Sequence, residues 1–470
     1  MSSLIPFGDP MKSQFLIDPS FRNLNHGSYG TFPIPIQTVQ REFQSAAESR
    51  PDLFLRHTQS KHLDTARAAI AHLLNAEVSE CVFVKNATTG VSTILTNLDF
   101  QPSEVLVYFD TVYGGVERGL QHLSETRGLR TKKVEYAFPI DGEGIVDRFR
   151  EVVDAVRQEG KEVKVALFDT IVSMPGFRFP FERLVEVCRE LGILSLLDAA
   201  HAVGQVELDL GKLKPDFLTS NCHKYIPPFL SPFGFTYLTL WLYTPRSCAV
   251  LYVPQRNQHL IRTMLPPSWG FIPRQDPSST TDPSTTPPGQ KSAFEYLFEY
   301  TATTDDSAYL CVPAALDFRQ NVCGGEARIY EYCESLANEA ADLVAEALGT
   351  EVLQEPGLGA KGEGSLFRKC AMTTVRLPIR VTEQGAADEE KVTVEEQDGK
   401  MVTVVPRPLV AAVLAWFRVE LFRAGTFVPV FEYRGYFWTR LSAQVYLERS
   451  DFEWLAGILN GLVARVRNEF

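Results

Sequence analysis

Ile193-Leu194-Ser195-Leu196-Leu197-Asp198 and Thr219-Ser220-Asn221-Cys222-His223-Lys224 are the two stretches whose reading decides the fold. The first is an apolar run too short for a helix, and it ends on a carboxylate. Another such run lies at 163–168. Between the two, at 181–191, the apolar residues Leu184, Val185, Val187, Cys188 and Leu191 recur at helical spacing. Short buried strand, helix, short buried strand is the grammar of a parallel sheet flanked by helices. In such a sheet ligands sit at the carboxyl ends of the strands. Asp198 and Lys224 both fall there.

An amine and a carboxylate at neighbouring strand ends are the pair that pyridoxal phosphate chemistry requires. The amine forms a Schiff base with the cofactor aldehyde. The carboxylate keeps the ring nitrogen protonated, so that the ring accepts electrons from a substrate carbanion. Each residue alone has a plainer reading: an aspartate capping the next element, and a surface lysine.

Working outward, further strands are expected at 105–109 and 247–253. A strand at 81–85 runs into a helix at 90–95 through Ala87, Thr88 and Thr89. Backbone N–H groups and hydroxyls converge there on a helix N-terminus suited to a phosphate, and a threonine N-cap would have the same geometry. Beyond residue 300 the pattern changes. Helices at 314–320 and 326–347 alternate with strands at 370–375 and 402–405, and 391–405 reads as a hairpin turning on Asp398-Gly399. The segments 273–290 and 388–390 read as loops. This grammar divides the chain into an arm at 1–30, a large domain at 31–304 and a smaller α+β domain at 305–470.

The 470 residues are 45% hydrophobic and 22% charged, the balance of an ordinary globular chain. A formal charge of -12 argues against a nucleic-acid or anionic-membrane partner. The eight cysteines form no CxxC pair and the eight histidines no HExxH, so neither a metal site nor a disulfide framework is expected. The start, Met1-Ser2-Ser3-Leu4-Ile5-Pro6, has no basic region followed by an apolar run. A cytoplasmic protein is the expectation.

Four separated motifs, Leu24-Asn25-His26-Gly27-Ser28-Tyr29-Gly30, Asn86-Ala87-Thr88-Thr89-Gly90, Asp198-Ala199-Ala200-His201 and Asn221-Cys222-His223-Lys224, make the chain resemble the class V aminotransferases among fold-type I pyridoxal phosphate enzymes. Three further stretches narrow the resemblance: Phe109-Asp110-Thr111-Val112-Tyr113-Gly114, Ser173-Met174-Pro175-Gly176 with Arg178-Phe179-Pro180-Phe181, and Phe437-Trp438-Thr439-Arg440-Leu441-Ser442. They are similar to the isopenicillin N epimerase-like branch, and within it to fungal hercynylcysteine sulfoxide lyases of ergothioneine biosynthesis. The resemblance implies an α/β fold whose large domain carries a mainly parallel seven-stranded sheet, with a smaller α+β C-terminal domain. It also implies pyridoxal 5'-phosphate, an amino-acid substrate and a homodimer.

By that resemblance Lys224 is the Schiff-base lysine and the base for the substrate Cα proton. Asp198 pairs with the pyridinium nitrogen, and His201 meets the phenolic oxygen unless it is a core histidine. Ala87, Thr88, Thr89, Ser220 and His223 hold the phosphate, which Thr303 reaches from the neighbouring subunit. Tyr113 lies over the ring and donates a proton to the leaving group, or else simply packs. Arg440 binds the α-carboxylate through its fork of donors, beside Asn25, His26 and Ser28.

The implied reaction is a β-elimination that breaks a carbon–sulfur bond of a cysteine-conjugate sulfoxide. The alternatives are Cα epimerisation and an inactive protein of the same fold. The last arises from an insert at 226–241, Ile-Pro-Pro-Phe-Leu-Ser-Pro-Phe-Gly-Phe-Thr-Tyr-Leu-Thr-Leu-Trp. It departs from the family pattern, which joins Tyr225 almost directly to Leu242. The insert would expose several aromatics beside the site, either as a substrate lid or as a translated intron.

Overall fold

A computed structural model describes residues 4–223, 241–267, 269–273, 291–299, 301, 303–359, 361–383, 391–397 and 399–470. Lys224, insert residues 226–240, and most of the loops expected at 273–290 and 388–390 lie outside the described residues.

The apolar runs form strands, as read. They are β1 (Cys81–Val84), β2 (Glu104–Phe109), β3 (Arg130–Val134), β4 (Glu162–Asp169), β5 (Leu194–Asp198), β6 (Phe217–Asn221) and β7 (Ala249–Tyr252). They join into one seven-stranded sheet in the order β1-β7-β6-β5-β4-β2-β3. All neighbours are parallel except β7, which runs antiparallel to both β1 and β6. Successive side chains of a strand point to opposite faces. Accordingly Val105, Val107 and Phe109 of β2 enter one apolar cluster, while Leu106 and Tyr108 enter another. Both faces are covered, which is why the strands read as continuous apolar runs instead of alternating ones.

The helices used below are α1 (Ala87–Asn97), α2 (Gly114–Arg127), α3 (Phe181–Leu191), α4 (Val312–Asn321) and α5 (Glu326–Leu348). Helix α3 has the bounds expected from its periodicity, and it ends on Gly192 at φ 70°, the left-handed conformation of a glycine C-cap.

A second, five-stranded sheet comprises β8 (Met372–Thr382), β9 (Thr393–Gln397), β10 (Lys400–Pro406), β11 (Val430–Tyr433) and β12 (Tyr436–Ser442), in the order β9-β10-β8-β12-β11. Strand β8 is longer than the run 370–375 indicated. Its inner half pairs with β12 and its outer half with β10. The expected hairpin is present: Gln397 pairs with Lys400 across a turn containing Gly399 at φ 75°. The N-terminal arm forms two isolated bridges here, Asn25 to Ser442 at the end of β12 and Arg22 to Thr426 in the segment before β11.

One expectation is corrected. Trp241, read as the last exposed aromatic of the insert, is 1% exposed. It lies in the main core, with its ring 4.9 Å from that of His26.

Candidate active site

The parallel register sets Asp169 and Asp198, at the carboxyl ends of β4 and β5, side by side with Thr219 in the middle of β6. Asp198 is 2% exposed, and one carboxylate oxygen accepts the N–H of Ala200 at 3.0 Å. That bond starts a turn over 199–206, fastened by three contacts. Ala199 N–H donates to the Thr219 carbonyl (2.8 Å), and the Ser220 hydroxyl donates to the Ala199 carbonyl while accepting from Val203 N–H. Gln205 donates to the His201 carbonyl (2.7 Å) and accepts from Ala371 N–H (2.8 Å).

The turn holds His201 at 1% exposure with both ring nitrogens lacking a hydrogen-bond partner among the described residues. Burying an imidazole with unmet polar atoms is costly unless something else meets them. Such unmet nitrogens, close in the chain to the buried Asp198 carboxylate, would suit a pyridine ring that bears a phenolic oxygen.

Beside this turn, α1 begins at Ala87, three residues earlier than its apolar pattern indicated. Its N-cap is Asn86, not a threonine. The Asn86 side chain accepts the Thr89 N–H (2.8 Å) and the Thr89 hydroxyl (3.1 Å). Asn221, at the end of β6, accepts the Ala87 N–H at 2.8 Å. Of the expected phosphate contacts, Ala87 and Thr89 are therefore already engaged, whereas the hydroxyl of half-buried Thr88 makes no hydrogen bond among the described residues. Ser220 is likewise committed to the turn. Asn221 was missed in the sequence, because its partner lies far away along the chain.

Gly90 lets α1 approach the sheet. A Cβ there would lie 2.1 Å from the Thr219 hydroxyl. The Nδ1 atom of His223 accepts from Cys248 N–H at 2.7 Å, and burial lowers the ring's pKa to about 4, so it is neutral. Lys224, the next residue, lies outside the described residues.

The second convergence is at Arg440 on β12, a guanidinium only 1% exposed. Nη1 donates to the Ser173 carbonyl (2.9 Å), and Nη2 donates to Asn25 Oδ1 (2.7 Å) and Ser28 Oγ (2.5 Å). Partners from the arm and from the loop after β4 thus orient a buried cation. Two motif glycines permit this approach. A Cβ at Gly176 would lie 2.7 Å from the Arg440 stem, and one at Gly27 would lie 3.2 Å from Nη2. His26, expected in the same cluster, turns instead to the Tyr446 hydroxyl (2.7 Å) and Trp241.

The two convergences meet through the loop after β4. Thr170, its first residue, donates its N–H to the Asp198 carbonyl (3.1 Å), and Ser173 holds Arg440. Tyr113 stands half-buried at the end of β2, preceding α2. Thr303 is exposed and is not brought to the others. A cleft of about 630 Å³, lined by Arg178, Glu182, Arg189, Gln205, Lys212 and Glu334, borders the 199–206 turn through Gln205 and Val206. Among the described residues no His, Cys, Asp and Glu cluster has the makings of a metal site, and no helix is long and apolar enough to cross a membrane.

Comparison with known proteins bears on the family and the fold. The family model Aminotransferase class-V matches residues 35–239. The L-cysteine desulfhydrase-like protein lolT1 of Epichloe uncinata is 42% identical over 469 residues, covering 99% of this chain and 98% of the relative. The hercynylcysteine sulfoxide lyase of Schizosaccharomyces pombe is 27% identical over 453 residues, covering 96% and 97%. Among solved structures, the complex between the cystine C-S lyase C-DES and its reaction product cysteine persulfide superposes with a TM-score of 0.66. It is 14% identical and covers 94% of this chain and 97% of that one, a likeness of fold.

Proposed function

Since the chain belongs to the class V aminotransferase family, we propose that it is a pyridoxal 5'-phosphate-dependent carbon–sulfur lyase acting on a cysteine-derived amino acid. The observation that carries this reading is the conjunction of a buried Arg440, oriented by Asn25, Ser28 and Ser173, with the strand-end Asp198 and the unmet ring of His201. One group binds an α-carboxylate, and the others suit a cofactor ring. Bound there, pyridoxal phosphate would supply an electron sink for charge developing at the substrate Cα.

The chain's own groups have these roles. Arg440 receives the α-carboxylate and fixes the amino acid's orientation, with Asn25, Ser28 and Ser173 holding the guanidinium. Lys224 removes the Cα proton. Asp198 keeps the ring nitrogen protonated, and His201 hydrogen-bonds the ring's oxygen. Thr88 offers an N–H and a hydroxyl to the phosphate at the start of α1. Tyr113 gives a proton to the departing sulfur. The balanced outcome is a sulfenic acid or thiol, with pyruvate and ammonia once water has hydrolysed the aminoacrylate.

For the substrate we favour hercynylcysteine sulfoxide, as in ergothioneine formation, supported by the full-length match to a relative of that name. L-cysteine is the competing substrate, because the 42% relative is named desulfhydrase-like. We further read the enzyme as a cytoplasmic homodimer in which Thr303 reaches the partner's phosphate.

The test is pyruvate release by the cofactor-loaded protein from each substrate, with Lys224→Ala as the control. Arg440→Lys should lower kcat/KM by about a hundredfold, since a point charge replaces a braced fork. Deuterium exchange at Cα without pyruvate would instead support epimerisation, the activity named in another relative, the isopenicillin N epimerase of Amycolatopsis lactamdurans.

A further inference from the structure

Arg319 is a second buried arginine, 1% exposed, that the proposed chemistry does not use. It lies on α4 and spends its donors unusually. Nη1 donates to the backbone carbonyl of Trp241 (2.7 Å), and Nη2 donates to that of Gly204 (3.0 Å). Nε and Nη2 together grip the carboxylate of Glu326, the first residue of α5. The guanidinium stands 5.0 Å over the Tyr243 ring. Both carbonyls belong to loops beside the proposed site. Gly204 closes the turn that carries His201. Trp241 begins the chain's return from the Lys224 segment, and the N–H of Leu242 comes back to the Cys222 carbonyl (3.3 Å).

The two loops come together where Arg319 joins them. Gly204 has φ 83°, and a Cβ there would lie 2.7 Å from the Trp241 carbonyl carbon and oxygen. Tyr243 and Ser247 hold left-handed backbone at φ 69° and 63°, a conformation that side-chain-bearing residues keep only when their surroundings impose it. Burying a guanidinium is costly unless its donors are met. Here they are met only if both loops are in place. The cation therefore couples the path of one loop to that of the other.

We propose that Arg319 is a positioning residue of the cofactor site, holding the His201 turn and the end of the Lys224 segment in mutual register. This rests on the reading of His201 and Lys224 as cofactor residues. Because Arg319 grips backbone carbonyls, the contact serves whichever residue precedes Leu242.

The test uses the full chain as Arg319→Met, Arg319→Lys and Glu326→Gln, titrated with pyridoxal phosphate. Arg319→Met should bind it about tenfold more weakly, as expected when a supporting residue is lost. The pH midpoint of the Schiff-base absorption band should move by about half a unit or more. Arg319→Lys should recover part of both, and Glu326→Gln should show smaller shifts of the same sign. Affinity and midpoint matching the wild type in the folded variants would overturn the proposal, and if Arg319→Met does not fold, the two milder variants decide.

Amide hydrogen exchange of the cofactor-free protein gives a separate readout. Peptides spanning 199–206 and 241–247 should exchange about tenfold faster in the variants. If the wild type forms no band that Lys224→Ala abolishes, the reading of the site fails, while the exchange result still decides whether Arg319 holds the loops.

Discussion

At the scale of single residues, local pattern and distant geometry contribute different things. Asp198 was legible because a carboxylate at the tip of an apolar run is itself a signal. The cradle of Arg440 was legible only as motifs, since Asn25, Ser173 and Arg440 come from widely separated parts of the chain. His223 shows what lies beyond the sequence altogether: its neutrality follows from burial against Cys248. With its pKa lowered from the ordinary 6.5 to about 4, the folded protein resists a proton that the unfolded chain accepts. Its stabilising contribution is full above pH 6.5 and is lost as the pH falls toward 4, on the order of 3 kcal/mol in all. Between pH 7 and pH 5 the wild type should thus lose about 2 kcal/mol more than His223→Gln, which cannot titrate in this range. Urea unfolding of the cofactor-free proteins at both pH values measures this, and parallel losses would show that His223 is not held neutral.

At the scale of elements, the start of α1 is where reading and structure part. Apolar periodicity placed the helix at 90–95, because periodicity sees only the face that packs. The structure extends the first turn back to Ala87, where two polar groups meet N–H donors that a helix leaves unpaired. Asn86 does so locally, and its type and position before the helix are an available signal. Asn221 does so from another strand, and no local pattern announces it. Helix α3 and the hairpin across Gly399 were read correctly because everything that defines them is local: spacing, a glycine C-cap, a turn dipeptide. Replacing Asn86 by Ala should cost about 1 kcal/mol as a lost cap. Replacing Asn221 by Ala leaves the Ala87 N–H buried and unmet, and should cost about 1–3 kcal/mol. Because both secure one helix end, the double variant should depart from additivity. Simple addition of the two urea-unfolding losses would mean that the ends are held independently.

At the scale of the whole molecule, the two sheets are tied through the arm, the loop after β4 and the segment that begins at Trp241, so the site depends on how the chain closes around Lys224. The insert at 226–241 had been read as a unit removable up to Leu242, and the structure divides it. Leu242 N–H bonds the Cys222 carbonyl, so the chain enters and leaves the Lys224 segment at adjacent points. A handful of residues can bridge such ends, and loop length itself carries little free energy. Trp241, however, is core: it is buried, set against His26 and bound through its carbonyl to Arg319. A chain lacking 226–240, with Tyr225 joined to Trp241, should fold with a urea midpoint close to that of the full chain. Extending the deletion by one residue empties the tryptophan's place and should cost about 3 kcal/mol or more, the usual penalty for removing a large core side chain. Equal stability of the two deletions would show that Trp241 belongs with the insert after all. A failure of the shorter deletion to fold would show that 226–240 is part of the structure the site requires.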